Sequence, residues 1–229
     1  MMGKVVKVEH EQNGLKVVRS QWVDTQQIRA MAYDSQNAGY NTFNTVSTRL
    51  WTALPIFGEN QSNQSMDQYK NIIETRKDCE KITCAPYPKD PGQSLRIQEL
   101  VLKQQYFFVS ATLKDILRRF TKRNGDNWER LPEKVSLFLL DVQHSVGILE
   151  MLRILIDEYK LTFHQAFYLA QKCFSMISTG SIEELSMNWN VDLFSRILPR
   201  HMELITMIDY FFVEKMRQHE KIKNDVSKM

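Results

Sequence analysis

Leu102–Phe120 reads LKQQYFFVSATLKDILRRF. Leu102, Tyr106, Val109, Leu113, Ile116, Leu117 and Phe120 recur every three or four positions, which places them on one face of a long helix. Lys103, Lys114, Arg118 and Arg119 fall away from that stripe.

Downstream, Val135–Leu140 (VSLFLL) is a continuous apolar run of strand length and predicts a buried parallel strand. Val146, Leu149, Leu152, Leu155 and Tyr159 predict a second amphipathic helix. Thr162 and Gln165 have capping-box spacing and open a helix that reaches Cys173. A final helix follows Pro199 and carries Met202, Ile205, Ile208, Phe212 and Met216. Residues 219–229 form a polar tail.

Upstream, Lys4–Glu9 and Lys16–Val23 are valine-rich and flank Asn13-Gly14, a hairpin turn signal. Gln27–Tyr33 predicts a third strand, residues 34–48 a loop, and Arg49–Ala53 a return to an apolar element. Residues 58–65 are polar and low in complexity, which predicts a mobile loop. Met66–Cys84 is helical in composition, and Pro88, Pro91 and Gly92 end that element. Strands first and strand–helix alternation afterwards give an α/β class, with residues 1–218 as one domain.

The bulk numbers remove several functions. A net charge of +3 with no basic stripe argues against nucleic-acid binding. No apolar run approaches the length of a membrane span. The N-terminus leads into a strand pattern rather than a signal peptide, so an intracellular, cytoplasmic location is expected. Cys79, Cys84 and Cys173 are an odd, sparse set, consistent with free thiols, and supply no four-ligand metal site.

LKQQYFFVSATLKDILRRF resembles a signature of the α-glucan (glycogen and starch) phosphorylases, LKQ-Q/E-YF-x-V-x-A-T/S-L-x-DI-x-RRF. Other strings fall in the same order. Asp24-Thr25-Gln26 resembles the family's DTQ; Ala32–Tyr40 resembles PYDTPVPGY; Asn44–Ala53 resembles NTVNTMRLWSA; Arg196–Asp209 resembles the LLPRH segment. Met66–Pro88 aligns with the tower helix, which in the family packs against its twin across a two-fold axis. On this resemblance the chain corresponds to the second half of a phosphorylase N-terminal domain. The family's pyridoxal phosphate sits on a lysine of a C-terminal domain with no counterpart in this sequence, so no cofactor is expected in this chain.

The resemblance also implies where sugar chemistry should lie, and there the sequence departs. The family writes N-D-T-H-P before the second helix; this chain has Leu140, Asp141, Val142, Gln143 and His144. Asp141 persists, Gln143 replaces the sugar-facing histidine, and His144 sits one residue away. His144 either substitutes for the lost group or is an ordinary histidine near a helix N-terminus; the second is expected. The family's A-Y-T-N-H-T-V becomes Phe174–Gly180, with Ile177 and Ser178 at the Asn-His pair. At the gate, N-D-N becomes Lys89-Asp90-Pro91-Gly92, so Asp90 matches but a proline without an N–H follows. Departures at all three places predict a catalytically silent chain.

Two inherited features remain. Arg118 and Arg119, with Arg49 and Asp24, match the family's allosteric phosphate site, so a nucleotide monophosphate or sugar phosphate is one expected ligand; helix-dipole complementation by the arginines is the plainer explanation. Tyr69, Ile72, Ile73 and Arg76 mark the tower-like helix 66–84, with Cys79 nearby, as an interaction surface or an amphipathic cover for the domain's own core. The leading expectation is a non-catalytic, phosphorylase-like subunit of a larger homo- or hetero-oligomeric assembly, with glucan a doubtful ligand. A split fragment of an active phosphorylase, completed by a cofactor-bearing chain, is the second; a sensor of phosphorylated metabolites is the third.

Overall fold

The computed structural model describes residues 1–12, 15–56, 66–84, 94–140, 142–177 and 188–218. It is an α/β arrangement of three separate strand pairs and seven α-helices among these residues. Strands β1 (Lys4–Gln12) and β2 (Leu15–Val23) pair antiparallel, with Gln12 opposite Leu15. That register leaves a two-residue connection, the spacing of the Asn13-Gly14 signal, although those two residues lie outside the described set.

Strands β3 (Ile28–Ala38) and β4 (Thr45–Pro55) form a long antiparallel ribbon. Here the sequence reading needs correction. Residues 34–48 are not a loop: only 39–44 connect the strands. The outer ribbon is largely exposed, so no apolar alternation announces it. Cross-strand polar pairs hold it instead, with Asp34 opposite Arg49 and Asn37 donating to Thr48 Oγ1 at 3.4 Å.

Helix α1 (Met66–Cys84) lies against β4, with Cys79 and Ile82 buried beside Ala53. Helix α2 (Leu95–Asn124) contains the opening signature and extends beyond it at both ends. A short 3-10 turn (Trp128–Arg130) and α3 (Leu131–Lys134) lead to β5 (Leu137–Leu139). Strand β5 pairs in parallel with β6 (Phe174–Met176), as expected for this run, but it is shorter than predicted and not buried. Phe138 is 51% exposed and Leu140 74%, because among the described residues a single strand accompanies β5 and no layer covers that face.

Helix α4 (Val146–Arg153) runs directly into one π-helical turn, Ile154–Glu158. Helix α5 (Phe163–Cys173) opens with the capping box: Thr162 Oγ1 accepts from Gln165 N, and Gln165 Oε1 accepts from Thr162 N at 3.1 Å. Helices α6 (Val191–Ile197) and α7 (Pro199–Gln218) complete the fold.

Two apolar clusters form the core, and α2 belongs to both. Its first half gives Leu102, Tyr106 and Phe107 to a cluster with Ala53, Cys79, Ile82, Val146, Leu193 and Ile197. Its second half gives Leu113, Leu117 and Phe120 to a cluster with Leu131, Met151, Leu152, Leu155, Leu169 and Leu204. Val109 and Leu149 pack against both. Gly147 permits the close approach of α4 to α2: a Cβ there would stand 3.0 Å from Val109 Cγ1.

Candidate functional site

A cleft of about 810 Å³ opens between the β3–β4 ribbon, α2 and the N-terminal segment. Trp22, Ile28, Ala30 and Trp51 supply apolar wall, and Tyr106, Ser110 and Arg153 also line it. Arg49, Lys114 and Arg118 add three further cations. Trp51 is fixed by its Nε1–H, which donates to Thr112 Oγ1 at 3.0 Å, and the Arg49 guanidinium stands 5.7 Å from its ring centre.

Below the cleft lies a buried polar network centred on Glu150, which is fully buried. Its carboxylate accepts from Ser110 Oγ at 2.7 Å, Tyr106 Oη at 3.3 Å, Arg153 Nε at 2.8 Å and Arg153 Nη2 at 2.9 Å. His201 Nε2 lies 2.8 Å from the same carboxylate. Burial alone would raise the Glu150 pKa. The Arg153 charge and its paired hydrogen bonds, aided by His201, outweigh burial and hold the group ionised well below the usual range. Arg153 also donates to Glu158 at 2.9 Å, and Glu158 pairs with Lys114 at 3.1 Å, which links the network to the cleft.

His201 is best described as neutral. Its Nε2–H donates to Glu150, and its Nδ1 is buried without a hydrogen-bond partner among the described residues. Protonation would create a buried N–H with nothing to receive it. Burial lowers its pKa, only partly opposed by Glu150. Trp22 and Tyr106 meet its ring edge-on at 5.6 and 5.2 Å.

The direction of the pH dependence follows. Below the ordinary histidine value of 6.5, the unfolded chain takes up a proton at residue 201 that the folded chain resists, so stability falls as pH drops. Below 4.5 the same holds for Glu150, whose folded pKa is depressed. Urea midpoints measured across this range should decline in two steps toward acid. His201→Gln should flatten the upper step and keep the lower one; an unchanged upper step would refute the assignment.

The second polar cluster gathers three of the four residues read as an effector site. Asp115 accepts from Arg49 Nη1 at 2.5 Å, from Arg118 Nη2 at 2.8 Å and from Arg119. Arg49 also grips Asp34 through two bonds of 2.6 Å. Burial opposes ionisation of Asp115, but the arginine hydrogen bonds and charges prevail and its pKa is lowered. Asp34 is lowered first by the Arg49 hydrogen bonds. Asp24 stands apart from this cluster: it has a left-handed φ of 55° and pairs with Lys4 at 2.9 Å.

Among the described residues, the remaining sequence candidates do not converge on a reaction centre. Gln143 and His144 occupy a partly buried 3-10 turn, Val142–His144. Ile177 is 54% exposed, and its N–H donates to Leu139 O at 3.0 Å. Asp90, Asp141, Ser178, the 58–65 loop and the 219–229 tail lie outside the described residues. On α1, Ile72 is half-buried, while Ile73 and Arg76 are exposed, Arg76 pairing with Glu80 at 3.0 Å; the side chain of Tyr69 is outside the described set. Cys79 faces the core and is unavailable to an outer seam.

The cleft does not suit a cofactor held as a Schiff base. Lys114 is the sole lysine among its described lining residues, and it is about half exposed and engaged by Glu158. No group of three or more metal-ligating side chains occurs among the described residues. Among them, too, no helix is long and apolar enough to cross a membrane.

Comparison with known proteins accounts for the scaffold. The carbohydrate phosphorylase family model matches residues 1–229. Glycogen phosphorylase of Saccharomyces cerevisiae is 36% identical over 207 residues, covering 90% of this chain and 22% of the relative. The liver form of human glycogen phosphorylase is 35% identical over 219 residues, covering 92% and 25%. The chloroplastic/amyloplastic alpha-1,4 glucan phosphorylase L-2 isozyme of Solanum tuberosum is 37% identical over 199 residues, covering 83% and 20%. The chain thus spans a fifth to a quarter of the length of these relatives. With the family match running over every residue, this chain belongs to the carbohydrate phosphorylase family.

Proposed function

We propose that the chain is a phosphorylase-family module without phosphorolytic chemistry of its own, acting through protein contacts as a subunit of a larger assembly. The observation that carries this reading is selective change. The family match runs over residues 1–229, whereas Gln143 stands at the expected sugar-facing histidine and Ile177 and Ser178 at the expected Asn-His pair. A contact role is supported by one face of the β5–β6 pair that is uncovered among the described residues, where Phe138 and Leu140 are exposed and Ile177 follows on β6. The outer face of α1, with Ile73, offers a second surface.

The metabolite-sensor reading ranks lower because Asp115 already engages Arg49, Arg118 and Arg119. An effector phosphate would have to displace that carboxylate.

The test combines an activity assay with a mass measurement. Incubation with glycogen and phosphate should release no glucose 1-phosphate. Sedimentation in native extract should give a particle well above the 27.0 kDa of one chain. Phe138→Ser/Leu140→Ser should leave folding unchanged and shrink that particle. A solitary monomer in extract would reject the contact role. Glucose 1-phosphate release that disappears in His144→Ala would reject the silent one.

A further inference from the structure

Past the point where Arg49 reaches Asp115 of α2, the β3–β4 ribbon projects with both faces open: residues 35–38 and 45–48 are all exposed. Tyr40 and Phe43 at its tip lie almost wholly in solvent. A two-stranded ribbon with no third strand and no covering layer has little stability of its own in water.

The two edges of this ribbon differ. On the β4 side α1 lies alongside, and Ala53 N–H donates to Thr83 Oγ1 at 3.4 Å. On the β3 side no strand pairs among the described residues. The Ala53 bond leaves the ribbon, so Ala53 and its partner Ala30 form a non-hydrogen-bonded pair. At the tip, Gly39 N–H donates across the ribbon to Asn44 O at 2.9 Å. Alternation between these two points turns the N–H and C=O groups of Ala32, Asp34, Gln36 and Ala38 outward, away from β4. Edge strands are kept solitary by prolines, lysines or bulges. Strand β3 (IRAMAYDSQNA) has neither proline nor lysine, and its register with β4 is unbroken over eleven residues.

We propose that this edge pairs with the same edge of a second copy of the chain, antiparallel about Ser35, to give a four-stranded sheet across a two-fold axis. The proposal rests on the contact role argued above and names one of its partners.

A second copy fits because the edge complements itself. About Ser35, Ala32 of each copy meets Ala38 of the other, and Asp34 meets Gln36. These are the residues whose backbone groups point outward, so unpaired donors meet unpaired acceptors. The Gln36 amide supplies a donor for the Asp34 carboxylate, and no like charges are opposed. On the opposite face, the exposed Leu50 and Tyr33 of one copy extend into a row with Asn37 and Val46 of the other, all of them uncharged. Such a pairing consumes the edge and closes at two chains.

Sedimentation equilibrium of the purified full chain tests this. A dimer of twice 27.0 kDa is expected, with a Kd on the order of micromolar. Gln36→Pro removes an outward N–H, spares the β4 ladder and should weaken the dimer about tenfold or more. Ser35→Lys and Ser35→Glu should each weaken it, and an equimolar mixture of the two should recover the parental mass, because these residues meet at the axis. Phe138→Ser/Leu140→Ser should leave this dimer unchanged. All these side chains are exposed, and circular dichroism should confirm an intact fold. A monomeric purified chain, a Gln36→Pro variant that dimerises like the parent, or a mixture no heavier than its separate components overturns the pairing. A heavy particle in extract would still support the contact role in that case. Loss of the dimer in Phe138→Ser/Leu140→Ser also overturns the pairing, by moving the interface to β5.

Discussion

Glu150→Ala is expected to be among the most damaging single substitutions in this protein. It would strip Arg153, which is largely buried, of its paired acceptor and leave Ser110, Tyr106 and His201 without their shared partner. Removing one member of a buried ion pair costs about 3–5 kcal/mol, because the remaining charge stays desolvated. For a chain of this size that lowers Tm by on the order of 10 °C. Arg153 also reaches Glu158, which is more exposed and compensates only in part. Glu150→Met/Arg153→Met should lie closer to the parent protein than Glu150→Ala, since it removes both charges together. Calorimetric melts of the three proteins settle the point. A Glu150→Ala cost below about 1 kcal/mol would show that the network contributes little to stability.

The second large effect is expected at Leu152. It is fully buried in the cluster formed by the second half of α2 with α4, α5 and α7. Leu152→Ala removes that packing and leaves a cavity, at a cost of about 2–5 kcal/mol. Leu140→Ala makes the same chemical change on the uncovered β5 side and should cost less than about 0.5 kcal/mol in the isolated chain. Urea midpoints for the two variants measure the contrast. Similar costs at both positions would mean that Leu140 is covered in solution.

The helices were the more legible part of the sequence. Helix α2 announced itself because its interior positions repeat at helical spacing, and the Thr162–Gln165 cap was readable because both partners lie within one turn. The ribbon beyond Tyr33 was hidden because its outer strands are exposed and held by polar cross-strand pairs, which look like loop composition. The β5 run was overread for the opposite reason: five apolar residues among the six of Val135–Leu140 suggested burial, but burial requires a neighbouring layer that local sequence does not encode.

At the site, the arginine cluster was visible in part. Asp115 went unread, although it precedes Arg118 and Arg119 by three and four residues, the spacing of helical ion pairs. Glu150 and Arg153 also carried a signal, as charges three residues apart inside the apolar run Ile148–Leu155. Charged groups in such a run must pair or face water, and here they pair. His201 could not be placed this way, because its partner Glu150 is 51 residues distant in the chain.

The double membership of α2 has a consequence for how the molecule comes apart. A fold with two apolar clusters could open one half while the other persists. Here a single unbroken 30-residue helix runs through both, and Val109 and Leu149 touch each. Releasing either cluster would expose part of the same helix and weaken its grip on the other. Amide hydrogens in the middle of α2 should therefore exchange only through opening of the whole domain, whereas those of the outer β3–β4 ribbon and of β5 exchange through local fluctuations.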